Sequence, residues 1–128
     1  ERARQNNAEL CVLHVESPLG APPLPESHVP YAQSDAARSA EVIANLCRVI
    51  EEQISSAVRS RPLLKRGLAA EEIVRAARSV DADLIVLTAH GTTGLRSGEL
   101  GSVAARVLQM SPCPVLTLCD ATGVPQPI

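Results

Sequence analysis

The residues best suited to chemistry lie close together: Thr88, Gly91, Gly94, Gly98, Gly101, Ser102 and Val103, with Arg96 among them. Glycines at this density let a backbone approach a ligand closely. A helix opening at Ser102 would aim unpaired N–H groups and a positive dipole end at an anion. Phosphate suits that arrangement. Gly91 and Gly101 would provide the close approach, Ser102 a hydroxyl and an amide, and Val103 a second amide in the same turn. Glycines that serve only the geometry of turns are the competing reading, and Arg96 is either a partner for a phosphate or a solvated loop side chain.

Other chemistries fit less well. No lysine follows these glycines, so the Gly-x4-Gly-Lys-Ser/Thr phosphate loop is absent. Gly91, Gly94 and Gly98 do not have the Gly-x-Gly-x-x-Gly spacing of a dinucleotide fold, and Ser102 lacks the Gly-x-Ser-x-Gly elbow of a hydrolase. His14, His28 and His90 have no cysteine or carboxylate at metal-ligand spacing. No residue is assigned a catalytic or metal-binding role.

The elements that would position the loop follow from periodicity. An apolar run at residues 84–87 reads as a strand before it, and residues 100–109 as an amphipathic helix after it. A Pro-Cys-Pro turn then leads to a strand, Val115–Leu118. Upstream, residues 10–15 form a nearly continuous apolar run, as in a parallel strand covered on both faces. Residues 16–31 hold five prolines and read as a long surface loop. A helix is expected from Ser34 or Asp35, through Ala36, Ala40, Ile43, Cys47, Ile50, Ile54 and Ala57, to the neighbourhood of Arg61, where Pro62 stops it. Leu63 and Leu64 make a weak edge strand, and Ala70, Ile73, Val74 and Ala77 mark another helix. Val86 and Leu116 are expected in the core.

Alternating strands and helices imply an α/β parallel sheet with right-handed crossovers. The 128 residues suit one domain, 45% of them hydrophobic, with one tyrosine and no phenylalanine or tryptophan. A net charge of −2 gathers no nucleic acid, and no apolar run is long enough to cross a membrane. With no secretory leader, the chain reads as cytoplasmic. Cys11, Cys47, Cys113 and Cys119 form no C-x-x-C pair and read as buried, reduced thiols behaving as small hydrophobes.

The pattern Thr88-x2-Gly91-x9-Gly101-Ser102-Val103, continuing into Ser111-Pro112-Cys113-Pro114-Val115-Leu116, resembles the signature of the universal stress protein family. That family reads Gly-x2-Gly-x9-Gly-Ser/Thr at this point. The resemblance implies a doubly wound, flavodoxin-like or Rossmann-like parallel sheet of five strands in order 3-2-1-4-5. This chain supplies four of the five, so the expected domain, residues 1–119, is N-terminally incomplete. Residues 1–7 correspond to the end of the family's first helix, and residues 120–128 form a flexible tail. Two strands are then expected to lack their shared neighbour.

The resemblance also implies a regulatory domain of the stress response that binds an adenine nucleotide, ATP with Mg2+, and hydrolyses it slowly at most. Gly91, Gly101, Ser102 and Val103 align with phosphate and ribose contacts. Val15 matches the position whose backbone recognises adenine, although a core valine at a strand end would read the same way. Leu87 would lie against the base. Thr88 departs from the family's first glycine, and its hydroxyl either crowds the sugar or bonds to it. No residue matches the nucleotide-contacting aspartate after the family's first strand. A homodimer through Val115–Leu118 is the partner the family implies. The alternative is a nucleotide-free interaction domain, excised from a larger transporter or signalling protein.

Overall fold

A computed structural model describes residues 2–16, 31–88 and 100–118 of the chain. These residues fall into two compact units, Glu1–Gly67 and Leu68–Ile128. The expected long loop of residues 17–30, the glycine loop of residues 89–99 with Gly91, and the expected tail lie outside the described residues.

In the first unit, a single turn α1 (Arg2–Gln5) leads into β1 (Leu10–Glu16), which is followed by α2 (Tyr31–Gln53) and β2 (Ser60–Arg66). The α1 turn closes with Ala8 N–H donating to Ala3 C=O at 2.8 Å, and Asn7 takes a positive φ of 50°. Asparagine tolerates that left-handed conformation better than most residues. β1 and β2 pair in parallel from Leu10 opposite Ser60 to Glu16 opposite Arg66, and α2 packs on them. Gly67 leaves β2 at φ 150°, which a Cβ would disfavour, while its N–H still bonds Glu16 C=O at 2.9 Å.

Two expectations change here. α2 begins at Tyr31 and stops at Gln53 rather than near Arg61. Ser55 ends it by competing for the backbone: its hydroxyl accepts the N–H of Ala57 at 3.3 Å, and its carbonyl accepts that of Val58 at 2.9 Å. The residues thus released let β2 extend to seven residues, despite Pro62 in its middle. Leu10 N–H donates to Arg59 C=O, and Gly67 N–H to Glu16 C=O. With this register, the amides of Arg61, Leu63 and Lys65 face β1 and the nitrogen of Pro62 faces outward, where no donor is needed.

The second unit contains α3 (Ala69–Ser79), β3 (Ile85–Thr88), α4 (Ser102–Met110) and β4 (Val115–Leu118). Apolar positions Ala70, Val74 and Ala77 recur at helical spacing, and they meet Ile85 and Val107 in the buried core. The alanines let the helices approach closely. α3 ends with Ala82 N–H donating to Ala77 C=O at 2.9 Å, Asp81 being left-handed at φ 50°. Glu72, 8% exposed, is paired with Arg75 at 2.5 Å.

β3 and β4 pair in parallel, Ile85 opposite Val115 through Thr88 opposite Leu118. The pleat corrects the expected core. Ile85 and Leu87 pack toward the helices, whereas Val86, one residue out of phase, is 50% exposed and Leu116 half-buried. Among the described residues, the strand order is β1-β2 in one sheet and β3-β4 in the other. Cys11, Cys47 and Cys113 are free and half-buried. No helix among the described residues is long and apolar enough to cross a membrane.

Candidate functional site

The second unit builds the strand-to-helix junction that the sequence singled out. β3 ends at Thr88, which is exposed, and α4 starts at Ser102. Gly101 is the residue before that helix, at φ −63° and ψ 156°, and no side chain caps the helix there. Those angles suit any residue, so the glycine is required for its small size: Gly101 is buried. Ala105 N–H closes the first helical bond on Gly101 C=O at 2.9 Å. By helix geometry, the amides of Ser102, Val103 and Ala104 have no acceptor within α4. Ser102 and Val103 are exposed, so this positive helix end is open to an anion.

Leu87 packs its side chain against the core cluster, so at the strand's end it offers backbone rather than side chain. Val15 stands near the end of β1 in the first unit, half-buried. Leu87, Thr88, Gly101, Ser102 and Val103 belong to the second unit, while Gly91 and Arg96 lie outside the described residues. A cavity in the first unit, about 190 Å³ and lined by Arg4, Leu10, Gln53, Ile54 and Val58 among others, holds none of the predicted site residues.

Two supports escaped sequence reasoning. Arg106, one turn into α4, would oppose the helix dipole. Its Nε is held by Glu71 Oε1 of α3 at 2.7 Å, which neutralises it and ties the two helices together. Residues 35 apart carry no periodic signal of such a pair. The other support lies at the end of α4, where Ser111 Oγ accepts the N–H of Cys113 at 3.2 Å and donates to the Cys113 carbonyl at 2.5 Å. That turn delivers the chain into β4. The Pro-Cys-Pro run announces the turn itself; only the Ser111 hydroxyl that fastens it went unread, although serine before proline favours such turns.

The hydrogen bond from Arg106, followed by those from its own backbone, holds the Glu71 carboxyl below its ordinary 4.5. A depressed folded value contributes stability above the unfolded value, which is lost as pH falls through the folded one. Glu71→Gln is therefore expected to lower the melting temperature slightly at neutral pH and to flatten the acid limb below pH 4.5, so that the two profiles converge as pH falls. Parallel acid limbs in the two proteins would show that the pair contributes nothing.

The Universal stress protein family model matches residues 1–118. The universal stress protein YxiE of Bacillus subtilis (strain 168) is 30% identical over 122 residues, covering 89% of this chain and 81% of its own. Among solved structures, the hypothetical protein MJ0577 superposes with a TM-score of 0.68 at 26% identity, over 90% of this chain and 78% of its own. A universal stress protein solved in complex with cAMP shares the fold, with a TM-score of 0.52 at 23% identity, over 91% of this chain and 77% of its own.

Proposed function

Because the chain belongs to the universal stress protein family and has its flavodoxin-like α/β fold, we propose that it is a cytoplasmic regulatory domain binding an adenine nucleotide, ATP with Mg2+, at the junction of β3 and α4. The observation that carries this reading is the uncapped, exposed start of α4 behind a buried Gly101. Backbone amides of Ser102 and Val103 would take phosphate oxygens, with the Ser102 hydroxyl beside them and Gly91 allowing the loop to close in. Leu87 and Thr88 would border the nucleoside, and Val15 would recognise adenine through its backbone. The choice of adenine is supported by the cAMP complex of a protein with the same fold. No general base is assigned, so the nucleotide acts as a ligand and is hydrolysed slowly at most. Calorimetry of the purified protein with millimolar ATP tests the reading, and absence of heat would refute it.

The second reading is a nucleotide-free interaction domain. Thr88 is the observation that favours it, since a side chain stands where the family has glycine. In either reading the protein pairs with a second copy through β4. The β3 register turns the amides of Val115 and Thr117 toward that strand's outer edge, where another strand would find them. A charge at the edge, Thr117→Asp, is expected to shift sedimentation toward monomer at micromolar concentrations. A wild-type chain that sediments as monomer at every concentration would exclude this interface.

A further inference from the structure

The two helices of the second unit begin differently. α3 has Glu71 and Glu72 in its first turn, so its positive end faces its own carboxylates. α4 has no acidic residue there. Arg106 stands one turn further on instead, where a cation works against the helix dipole and an acid would have favoured folding. A residue that breaks a local rule of stability is a candidate for a role in binding.

The placement of its side chain points to that role. Ser102 and Val103 precede Arg106 by one helical turn, so the three share a face of α4. Arg106 is about 6 Å further along the axis than Ser102, and a helical side chain leans back over the turn before it. Glu71 fixes that lean. Its Oε1 accepts the Nε–H of Arg106 at 2.7 Å, and because Glu71 belongs to the first turn of α3, the guanidinium is held beside the amino end of that helix. Glu72 is paired with Arg75 instead. One bond at Nε leaves the Nη groups, and no hydrogen bond or ion pair joins them to another described residue. The Arg106 side chain is 57% exposed, and an ion pair this open stabilises a fold little.

We infer that Arg106 is a phosphate-binding residue that makes the start of α4 select a polyphosphate, and that Glu71 is its positioning residue, holding the guanidinium by Nε and leaving the Nη groups to the ligand. The inference rests on the nucleotide reading above. The amides of Ser102 and Val103 take one phosphate group, and Arg106, one turn along the same face, takes oxygens of the next. A nucleoside triphosphate or diphosphate reaches both, whereas a monophosphate reaches only the amides. A planar fork serves a carboxylate on one edge and a phosphate on the other, which the point charge of a lysine does not.

Calorimetric titration of the purified protein with ATP and, separately, with AMP tests this. Arg106→Gln is expected to weaken ATP binding about ten-fold, the loss of one charge-assisted contact, and AMP binding less than about two-fold. Arg106→Lys should recover part of the loss, since the charge returns without the fork. The double variant Glu71→Gln with Arg106→Gln, which leaves no unpaired carboxylate, should repeat the selective loss of the single one. An ATP-to-AMP affinity ratio that is the same in Arg106→Gln as in the wild type would overturn the inference and leave the nucleotide site standing. Wild-type protein that binds neither nucleotide would overturn the site and the inference together.

Discussion

Val107→Asp is expected to abolish the cooperative unfolding of the second unit. Val107 is 0% exposed and sits where α4 meets Ala70, Val74, Ala77 and Ile85. A carboxylate there would lose its water among these apolar side chains, at a cost of several kcal/mol. That is comparable to the whole stability of a small domain. The milder Val107→Ala should cost on the order of 2 kcal/mol, from lost burial and the cavity left behind. Val86→Ala, on the half-open face, should cost less than about 1 kcal/mol. Urea titration followed by circular dichroism compares the three. Equal losses at Val86 and Val107 would mean that the far face of β3 is as well covered as the near one, and the pleat assignment would fail.

The largest functional effect is expected from Gly101→Val. If ATP binds at the start of α4, nucleotide at about 100 times its dissociation constant stabilises the folded chain by roughly 2.7 kcal/mol. For a chain of this size, melting should rise by roughly 10 °C. A branched side chain at Gly101 would stand between the phosphate and the amides of Ser102 and Val103, so the rise should vanish. Because Gly101 is buried, valine also overpacks the site by about 1 to 3 kcal/mol. The comparison is therefore the nucleotide-induced shift in each protein, not the melting temperature itself. Thr88→Gly should keep the shift or enlarge it, since it removes only a side chain at the exposed end of β3. A shift that survives in Gly101→Val would place the phosphates elsewhere.

These two predictions draw on different kinds of legibility. Gly101, Ser102 and Val103 were readable because a helix start needs no tertiary partner to define it: small residues, a hydroxyl and the onset of helical periodicity are local facts. The apolar spacing of Ala70, Val74 and Ala77 was equally local, and it predicted the buried stripe of α3. The Glu71–Arg106 pair was not readable, because nothing along the chain announces which residues of two helices will meet.

Sequence by itself determined that strands and helices alternate, that the strands are short and apolar enough to pair in parallel, and that a glycine-flanked helix start follows β3. Hydrophobic period and backbone preference act within a few residues of each other, so they leave their mark in the order of residues. Tertiary structure alone decided which face of each strand is covered. Val86 and Ile85 are adjacent, both β-branched and apolar, and only the helices on one side of the pleat make one core and the other surface. It also decided that Pro62 lies within a strand rather than before one, since a proline is tolerated wherever its nitrogen faces away from the partner, and that direction is fixed by register with β1.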